Sequence, residues 1–483
     1  MFSLVYVISL LKKYTVVLFF LISSFITVLI VWKGPTLGIL FFLMSVGIPV
    51  ALVCFVSKKW ALLIIVGLSS FGSFFSRIVG RDLPMGSLID ALLLCTALGI
   101  IILGKHTKIH NDFFRNPVNI AIFIWILYFI LQAFNPEGSL NAWVAGFRGL
   151  ITFMVSYFIL FETLDSLSFI KRFTQFWLAI CVLGAIYCFY QEIFGLPPYD
   201  LRWVTANEIR KGLNWIQGDW RKWSFFSDVA LFGMIMAFGA IFCFVLSTGP
   251  YSLKRRILLV GFGLMMIMSM IFSGTRGAYA MIPAGFIFFV LATLNNKRTL
   301  AVAIVTLTGM LLMIFGPFYS GPINRIRSTF EPSEDPSMIV REENRQAILP
   351  YVYENPMGGG VRTSGTFGER FAPDHPLAGY PPDSAYFETT LETGWIGLII
   401  QLGLYCCVLL VGIRNYYRTL DKEIKVIYLA YLSAFFALTI AAFVKKAVEQ
   451  FPLGFIVGSI YILMPNLIKF DYKVSKKHND TPL

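Results

Sequence analysis

Arginine residues cluster in one polar stretch, residues 317–385, of a chain that is otherwise strongly apolar. Two of them, Arg341 and Arg345, stand four residues apart in Arg-Glu-Glu-Asn-Arg and would share one face of a helix. A further arginine, Arg276, stands before this stretch and follows an apolar segment in Ser-Gly-Thr-Arg-Gly. A guanidinium group offers several donors to a phosphate and stays charged at working pH. The pattern therefore predicts a site for a phosphorylated anion.

Two further cations stand at the edges of apolar segments: Arg148 in Gly-Phe-Arg-Gly, and Lys446 in a polar turn near the C-terminus. Charged groups at such positions are costly and are candidates for function, although each taken singly also fits a side chain that reaches toward lipid headgroups. We expect a diphosphate, attached to a lipid whose tail stays in the bilayer, to be bound by Arg148, Arg276, Arg341, Arg345 and Lys446.

Two residues are candidates for a general base. Asp383, in Pro-Pro-Asp-Ser-Ala-Tyr, precedes an apolar segment, where partial burial would raise the pKa of its carboxyl group and suit it to accept a proton. The alternative role for Asp383 is that of a helix N-cap. His375, in Pro-Asp-His-Pro, is the other candidate base, and its alternative is an ordinary surface histidine. The sequence leaves both choices open.

Two other segments have less specific patterns. Residues 355–361, Asn-Pro-Met-Gly-Gly-Gly-Val, read as a helix stop and a flexible turn, and they lack the lysine of a nucleotide-binding phosphate loop. Residues 195–223 combine basic residues with Tyr199 and four tryptophans. Tryptophan favours the membrane–water interface, which is the first interpretation of this loop. A surface for sugar stacking is the second.

Composition places these residues in a membrane. Hydrophobic residues make up 57% of the chain and charged residues 14%, whereas a soluble domain is about 25% charged. Runs of roughly 20 apolar residues can each cross a bilayer. We predict a single all-α polytopic transmembrane domain over residues 1–483, with about 12–14 helices and one large loop, 317–385, between late helices. The predicted crossings are 14–32, 35–57, 60–76, 84–104, 117–134, 142–161, 173–194, 224–247, 257–273, 277–294, 299–316, 391–413, 424–443 and 452–468.

The net charge of +13 reflects the orientation of the chain in the membrane. Lysine and arginine concentrate in alternate short loops, such as Lys58-Lys59, Lys254-Arg255-Arg256 and Lys297-Arg298, which are predicted to face the cytoplasm. Loops 195–223 and 317–385 then face outward, so the charge implies no nucleic-acid partner. All seven cysteines fall in predicted helices, and no disulfide framework or zinc site is implied.

Four sequence pieces, taken in order, resemble the O-antigen ligase and polymerase superfamily over residues 224–413. They are Ser-Gly-Thr-Arg-Gly, then Arg341 or Arg345 followed by Asn-Pro-Met-Gly-Gly-Gly-Val, then a polar loop, and last Asp-Ser-Ala-Tyr-Phe before Leu-Glu-Thr-Gly-Trp-Ile-Gly-Leu. The resemblance implies a glycosyltransferase in the bacterial inner membrane whose active site, in loop 317–385, faces the periplasm. It implies a polyprenyl (undecaprenyl) diphosphate donor, and no metal or nucleotide cofactor.

The acceptor implied by the resemblance is a sugar, either of a lipid A core or of a growing glycan. Family ligases usually have a histidine where this chain has Asp383-Ser384, and His375 stands eight residues earlier. This departure leaves the acceptor open. A repeat-unit polymerase of the same superfamily is one alternative function. A transporter or flippase of lipid-linked sugars is the other.

Overall fold

The computed structural model describes residues 35–104, 115–216, 218–294, 308, 316, 336–382, 384–444 and 450–471. The helices are α1 Pro35–Val56, α2 Lys58–Val79, α3 Met85–Ile102, α4 Pro117–Leu131, α5 Leu140–Thr163, α6 Leu167–Phe194, α7 Pro198–Thr205, α8 Glu208–Asn214, α9 Val229–Ser247, α10 Leu253–Ser273, α11 Arg276–Ala292, α12 Pro336–Glu354, α13 Gly365–Phe371, α14 Ala385–Arg418, α15 Lys422–Ala441 and α16 Leu453–Asn466. Strands β1 Trp215–Ile216 and β2 Asp219–Trp220 form an antiparallel hairpin.

Nine helices within the described ranges are long and apolar enough to cross a membrane, namely α2, α3, α4 with its 3-10 extension to Phe134, α5, α6, α9, α10, α14 and α15. Shorter apolar helices are Ser45–Val56, α11 and α16. This architecture confirms the predicted all-α polytopic membrane protein. The predicted crossing 14–32 lies outside the described residues, as does 299–316 except for residues 308 and 316.

Helix α9 is the centre of the bundle. Its sequence is apolar on every face, and 89% of an 18-residue stretch of it is buried. This is expected for a helix surrounded by other helices. It packs against α10, α11 and α15. Its start is set by Asp228, whose Oδ1 accepts hydrogen bonds from the backbone N–H groups of Ala230 at 2.9 Å and Leu231 at 3.0 Å.

The aromatic segment 195–223 is folded, not an open loop. It contains α7, α8 and the β1–β2 hairpin. Asp200 of α7 is fully buried and accepts a hydrogen bond from Arg77 Nε of α2 at 2.7 Å. The same guanidinium donates to the carbonyl oxygens of Phe226 at 2.8 Å and Ser224 at 2.9 Å. This buried, fully hydrogen-bonded ion pair fixes the segment to the membrane bundle.

Candidate functional site

A cavity of about 1250 Å³ lies between α4, α5, α14 and α16. Each of these helices contributes side chains at three- or four-residue spacing, which places them in one stripe along the helix. The apolar part of the wall includes Trp125, Phe129, Leu150, Phe153, Leu160, Leu404, Val457 and Tyr461. The packing of four helices therefore leaves a long, mainly apolar space inside the bundle.

The cavity is deep and reaches the surface of the helix bundle. On α14 the lining extends from Thr389 to Tyr405, roughly 24 Å at 1.5 Å per residue. Val144 of α5, also in the lining, is 57% exposed. An aliphatic chain could therefore enter from the surrounding lipid and lie parallel to the helices.

Charged side chains collect at one end of this cavity, which we call the cavity mouth: Asp90, Arg148, Arg362, Arg370 and Glu392. Arg148 donates two hydrogen bonds to Asp90 Oδ2, from Nη2 at 2.7 Å and from Nε at 2.9 Å. Its side chain is 62% exposed. The predicted Arg148 thus lies at the cavity, with much of its charge offset by Asp90.

Arg362 is held at the mouth by Glu392. Its backbone N–H donates to Glu392 Oε2 at 2.9 Å, and the Ser364 hydroxyl donates to Glu392 Oε1 at 2.6 Å. Arg362 has φ +61°, a left-handed conformation that is uncommon for a residue with a side chain. Its guanidinium lies 4.4 Å from the ring centroid of Phe367 on α13. Arg370 lies similarly over Phe371, at 5.2 Å.

The glycine-rich segment 355–360 pairs with a break in α14. The helix is interrupted at Gly394, whose φ is +68° and ψ is −170°. The N–H groups of Gly359 and Gly360 donate to the carbonyl oxygens of Leu391 and Glu392, both at 2.8 Å. Trp395 N–H in turn donates to Pro356 O at 3.0 Å. The groups released by the break are therefore satisfied by segment 355–360.

Polar residues at and just after the end of α4 form hydrogen bonds to the contact between segment 355–360 and the break in α14. We call this contact the junction. Tyr128 donates to Thr393 O at 2.7 Å, and Gln132 donates to Met357 O at 3.1 Å. Asn135 donates to Gly358 O at 2.8 Å. These bonds join segments more than 200 positions apart in the chain and hold the residues that precede Arg362.

The glycines of segment 355–360 are required by close packing. A Cβ on Gly360 would lie 2.6 Å from Gly138 Cα, and a Cβ on Gly358 would overlap Gly394 N. Both have positive φ, at 97° and 77°. The sequence predicts a helix stop and a flexible turn here. In the structure the segment is a tightly packed, hydrogen-bonded element that positions the mouth.

Arg276 is the first residue of α11. It belongs to a second cluster, which we call the Arg276 corner and which consists of residues 276–277, 384–385 and 442–444. A Cβ on Gly277 would lie 3.0 Å from Val444 Cβ. Ala385 N–H donates to Ala442 O at 2.9 Å. The structure thus brings Arg276 to the chain segments that lead directly to Asp383 and to Lys446. Arg276 itself is half-buried.

Arg221, from the aromatic segment, holds the turn before Arg276. Its Nε donates to Ser273 O at 2.8 Å, and its Nη2 donates to Gly274 O at 3.2 Å and to Thr275 Oγ1 at 3.1 Å. The carbonyl groups at the end of α10 lack helical partners, and this one guanidinium binds two of them. The segment predicted as an interfacial loop therefore supports the Ser-Gly-Thr-Arg-Gly turn.

We expect Arg221→Ala to destabilise the protein by about 2–4 kcal/mol, because buried carbonyl groups lose charge-assisted hydrogen bonds. Thermal unfolding of the purified protein measures this loss. Arg202→Ala, an exposed arginine of the same segment, is the matched control and should unfold like the wild type. Equal unfolding temperatures for the two variants would contradict the supporting role of Arg221.

His375 is engaged through both ring nitrogens. Its Nδ1 accepts a hydrogen bond from Leu377 N–H at 3.1 Å, so Nε2 carries the proton toward Glu137 O, 3.0 Å away. Burial lowers the pKa of the imidazole below its usual value, which favours the neutral ring. His375 is not among the residues that line the cavity. In this arrangement it ties segment 372–377 to the loop between α4 and α5.

The remaining predicted residues fall into two groups. Arg345 of α12 is exposed and pairs with Glu342 at 2.7 Å, one helical turn away. Asp383 and Lys446 lie outside the described residues, and for Arg341 only the backbone, within α12, is described. Of the residues predicted from the sequence, Arg148 is at the cavity mouth and Arg276 at the Arg276 corner.

Three site residues escaped the sequence reasoning: Arg362, Arg370 and Glu392. Arg362 directly follows the Gly-Gly-Gly-Val sequence, and Glu392 lies in Leu-Glu-Thr-Gly, so both stand inside pieces already singled out. Their pairing across 30 positions has no signature in a single sequence. Arg370 belongs to the arginine cluster of residues 317–385, but no local motif distinguishes it from the other arginines there.

Part of the sequence is similar to a known protein family. Residues 261–402 match the family described as O-antigen ligase. The match starts within α10, includes Arg276, α12, α13 and the glycine-rich segment, and ends in α14 beyond Glu392. A comparison with curated proteins finds no match.

Proposed function

We propose that this chain, a member of the O-antigen ligase and polymerase superfamily, transfers a glycan from a polyprenyl (undecaprenyl) diphosphate carrier to an acceptor sugar. It is a multi-pass membrane protein and a glycan-processing enzyme. The observation that carries the donor assignment is the cavity, because it is long and mainly apolar and its mouth is lined by arginines. A lipid tail with an anionic headgroup matches both parts.

In this proposal the polyprenyl tail lies along α5 and α14, and the diphosphate lies at the cavity mouth beside Arg148. Arg276 is proposed to bind the same diphosphate from its corner, which adjoins the start of α14. The proposal also assigns diphosphate binding to Arg341, Arg345 and Lys446. Fixed positive charges stabilise the diphosphate as it leaves, and this electrostatic effect is the main catalytic contribution.

The acceptor hydroxyl loses its proton to a general base and attacks the anomeric carbon of the donor sugar. The new bond joins the acceptor oxygen to that carbon, and the bond from that carbon to the phosphate oxygen breaks. Polyprenyl diphosphate leaves with the bonding electrons. We assign the base to Asp383 rather than His375, since both nitrogens of His375 already have partners within the protein. The reaction is proposed to occur on the periplasmic side of the inner membrane.

Blocking the cavity tests the proposal. Gly149 lines the cavity and has no atom within 4 Å of an added Cβ, so Gly149→Leu places a side chain in the space assigned to the tail. Gly403 of α14 is equally open and lies outside the lining, which makes Gly403→Leu the matched control. We expect Gly149→Leu to raise the KM for the donor about ten- to a hundredfold, in line with the usual cost of overpacking.

The assay uses purified protein in nanodiscs with polyprenyl-diphosphate-linked glycan and a sugar acceptor. Single transfer to a separate acceptor indicates a ligase, and extension of the glycan by repeats indicates a polymerase. Movement of the donor across a vesicle bilayer without any new glycosidic bond would indicate a flippase and refute the proposed transfer. Equal donor KM values for Gly149→Leu and Gly403→Leu would refute the cavity as the tail site.

A further inference from the structure

We propose that Arg362 and Arg370 form an anion subsite that binds a phosphate group of the lipid occupying the cavity. The inference rests on the proposed function, since it assumes that a lipid-linked substrate enters there. It adds a pair of residues to those assigned from the sequence, on α13 and in the turn before it.

The position of Arg362 is built by several independent contacts. Its N–H is fixed by the Glu392 carboxylate at 2.9 Å. The stem of its side chain lies against α5, where a Cβ on Gly146 would be 3.1 Å from Arg362 Cγ. On the other side its guanidinium rests on the Phe367 ring. A left-handed conformation at a residue other than glycine is costly, and such strain is concentrated at functional sites.

Arg370 completes the subsite from the same short helix. The rings of Phe367 and Phe371 are stacked, with centroids 6.3 Å apart, and each lies under one guanidinium. Each cation is therefore placed over one ring of this stacked aromatic pair. The N–H groups of a guanidinium lie in its own plane and point away from its edges. A guanidinium over an aromatic ring can therefore still donate hydrogen bonds to phosphate oxygens.

The charge balance at the mouth favours an anionic ligand. Among the described residues, no carboxylate forms an ion pair with Arg362 or Arg370. Of the two acids in the lining, Asp90 is paired with Arg148 at 2.7 Å. The Glu392 carboxylate accepts one hydrogen bond from the Arg362 N–H and one from the Ser364 hydroxyl. Two guanidinium groups are thus available where the headgroup of a cavity-bound lipid would lie.

Binding of two matched probes separates the contribution of the phosphate groups to affinity from that of the lipid tail. The probes are polyprenyl diphosphate and polyprenol of the same chain length, each titrated against the full-length protein in nanodiscs. Asparagine tolerates a left-handed conformation, so Arg362→Asn removes the charge while keeping the backbone. Arg370→Gln removes the second charge. Arg255→Gln is the control, because Arg255 is also an exposed arginine over an aromatic ring, 3.9 Å from Tyr251, away from the cavity lining.

The wild type should bind the diphosphate more tightly than the alcohol. We expect Arg362→Asn and Arg370→Gln each to weaken diphosphate binding about ten- to a hundredfold, as for lost charge-assisted hydrogen bonds, with polyprenol binding unchanged. Arg255→Gln should bind both probes like the wild type. Unchanged diphosphate affinity in both site variants would overturn the subsite.

Transfer kinetics then identify the source of the phosphate. A raised KM for the donor in Arg362→Asn assigns the subsite to the carrier diphosphate, and a raised KM for a phosphorylated lipid acceptor assigns it to the acceptor. A wild-type protein that binds the diphosphate through these arginines but transfers no glycan would refute the proposed function and leave the subsite standing.

Discussion

Gly394→Ala is expected to destabilise the protein by several kcal/mol and to abolish transfer. Gly394 has φ +68° and ψ −170°, a region that is essentially restricted to glycine and costs about 1–3 kcal/mol for other residues. A Cβ there would also overlap Pro356 O and lie 2.5 Å from the carbonyl carbon of Met357. The junction that orients Glu392, and through it Arg362, would have to open.

Thermal unfolding in detergent and transfer activity measure this effect. Gly403→Ala is the matched control, because Gly403 belongs to the same helix and its added Cβ meets nothing within 4 Å. In a helix interior that change should be neutral or slightly stabilising. If Gly394→Ala unfolded at the wild-type temperature and transferred glycan normally, the rigid junction would not be what positions the cavity mouth.

Asp383→Asn is expected to lower kcat for transfer about 10²–10⁴-fold, the usual contribution of a general base. Asparagine is nearly isosteric and can still cap a helix, so the fold and the donor KM should be retained. Steady-state kinetics on the purified variant, together with its unfolding temperature, separate the loss of proton transfer from any loss of stability.

His375→Gln is the comparison variant for the choice of base. Glutamine can replace part of the hydrogen bonding of His375 to Leu377 and Glu137. We expect a lower unfolding temperature and a much smaller fall in kcat than for Asp383→Asn. The opposite pattern, with normal stability and a larger loss of kcat in His375→Gln, would transfer the role of base to the histidine.

The membrane helices could be predicted from the sequence because a bilayer imposes a length and a composition on each one. The segment predicted at 84–104 is α3, Met85–Ile102, and the segment at 142–161 is α5, Leu140–Thr163. Helix α2, predicted from a weak pattern at 60–76, is Lys58–Val79. The arginine pattern likewise identified Arg148 and Arg276 as edge residues before any geometry was known.

The cavity and its mouth depend on contacts between distant parts of the chain, and no local pattern encodes them. Tyr128 meets Thr393 across 265 positions, and Arg221 reaches Ser273 across 52. Sequence alone determined the all-α membrane class, the approximate ends of helices such as α3 and α5, and the chemistry of the exposed cations. Tertiary structure decided which cations share a site, because a break in α14 and three tightly packed glycines turn Glu392 and Arg362 toward one cavity.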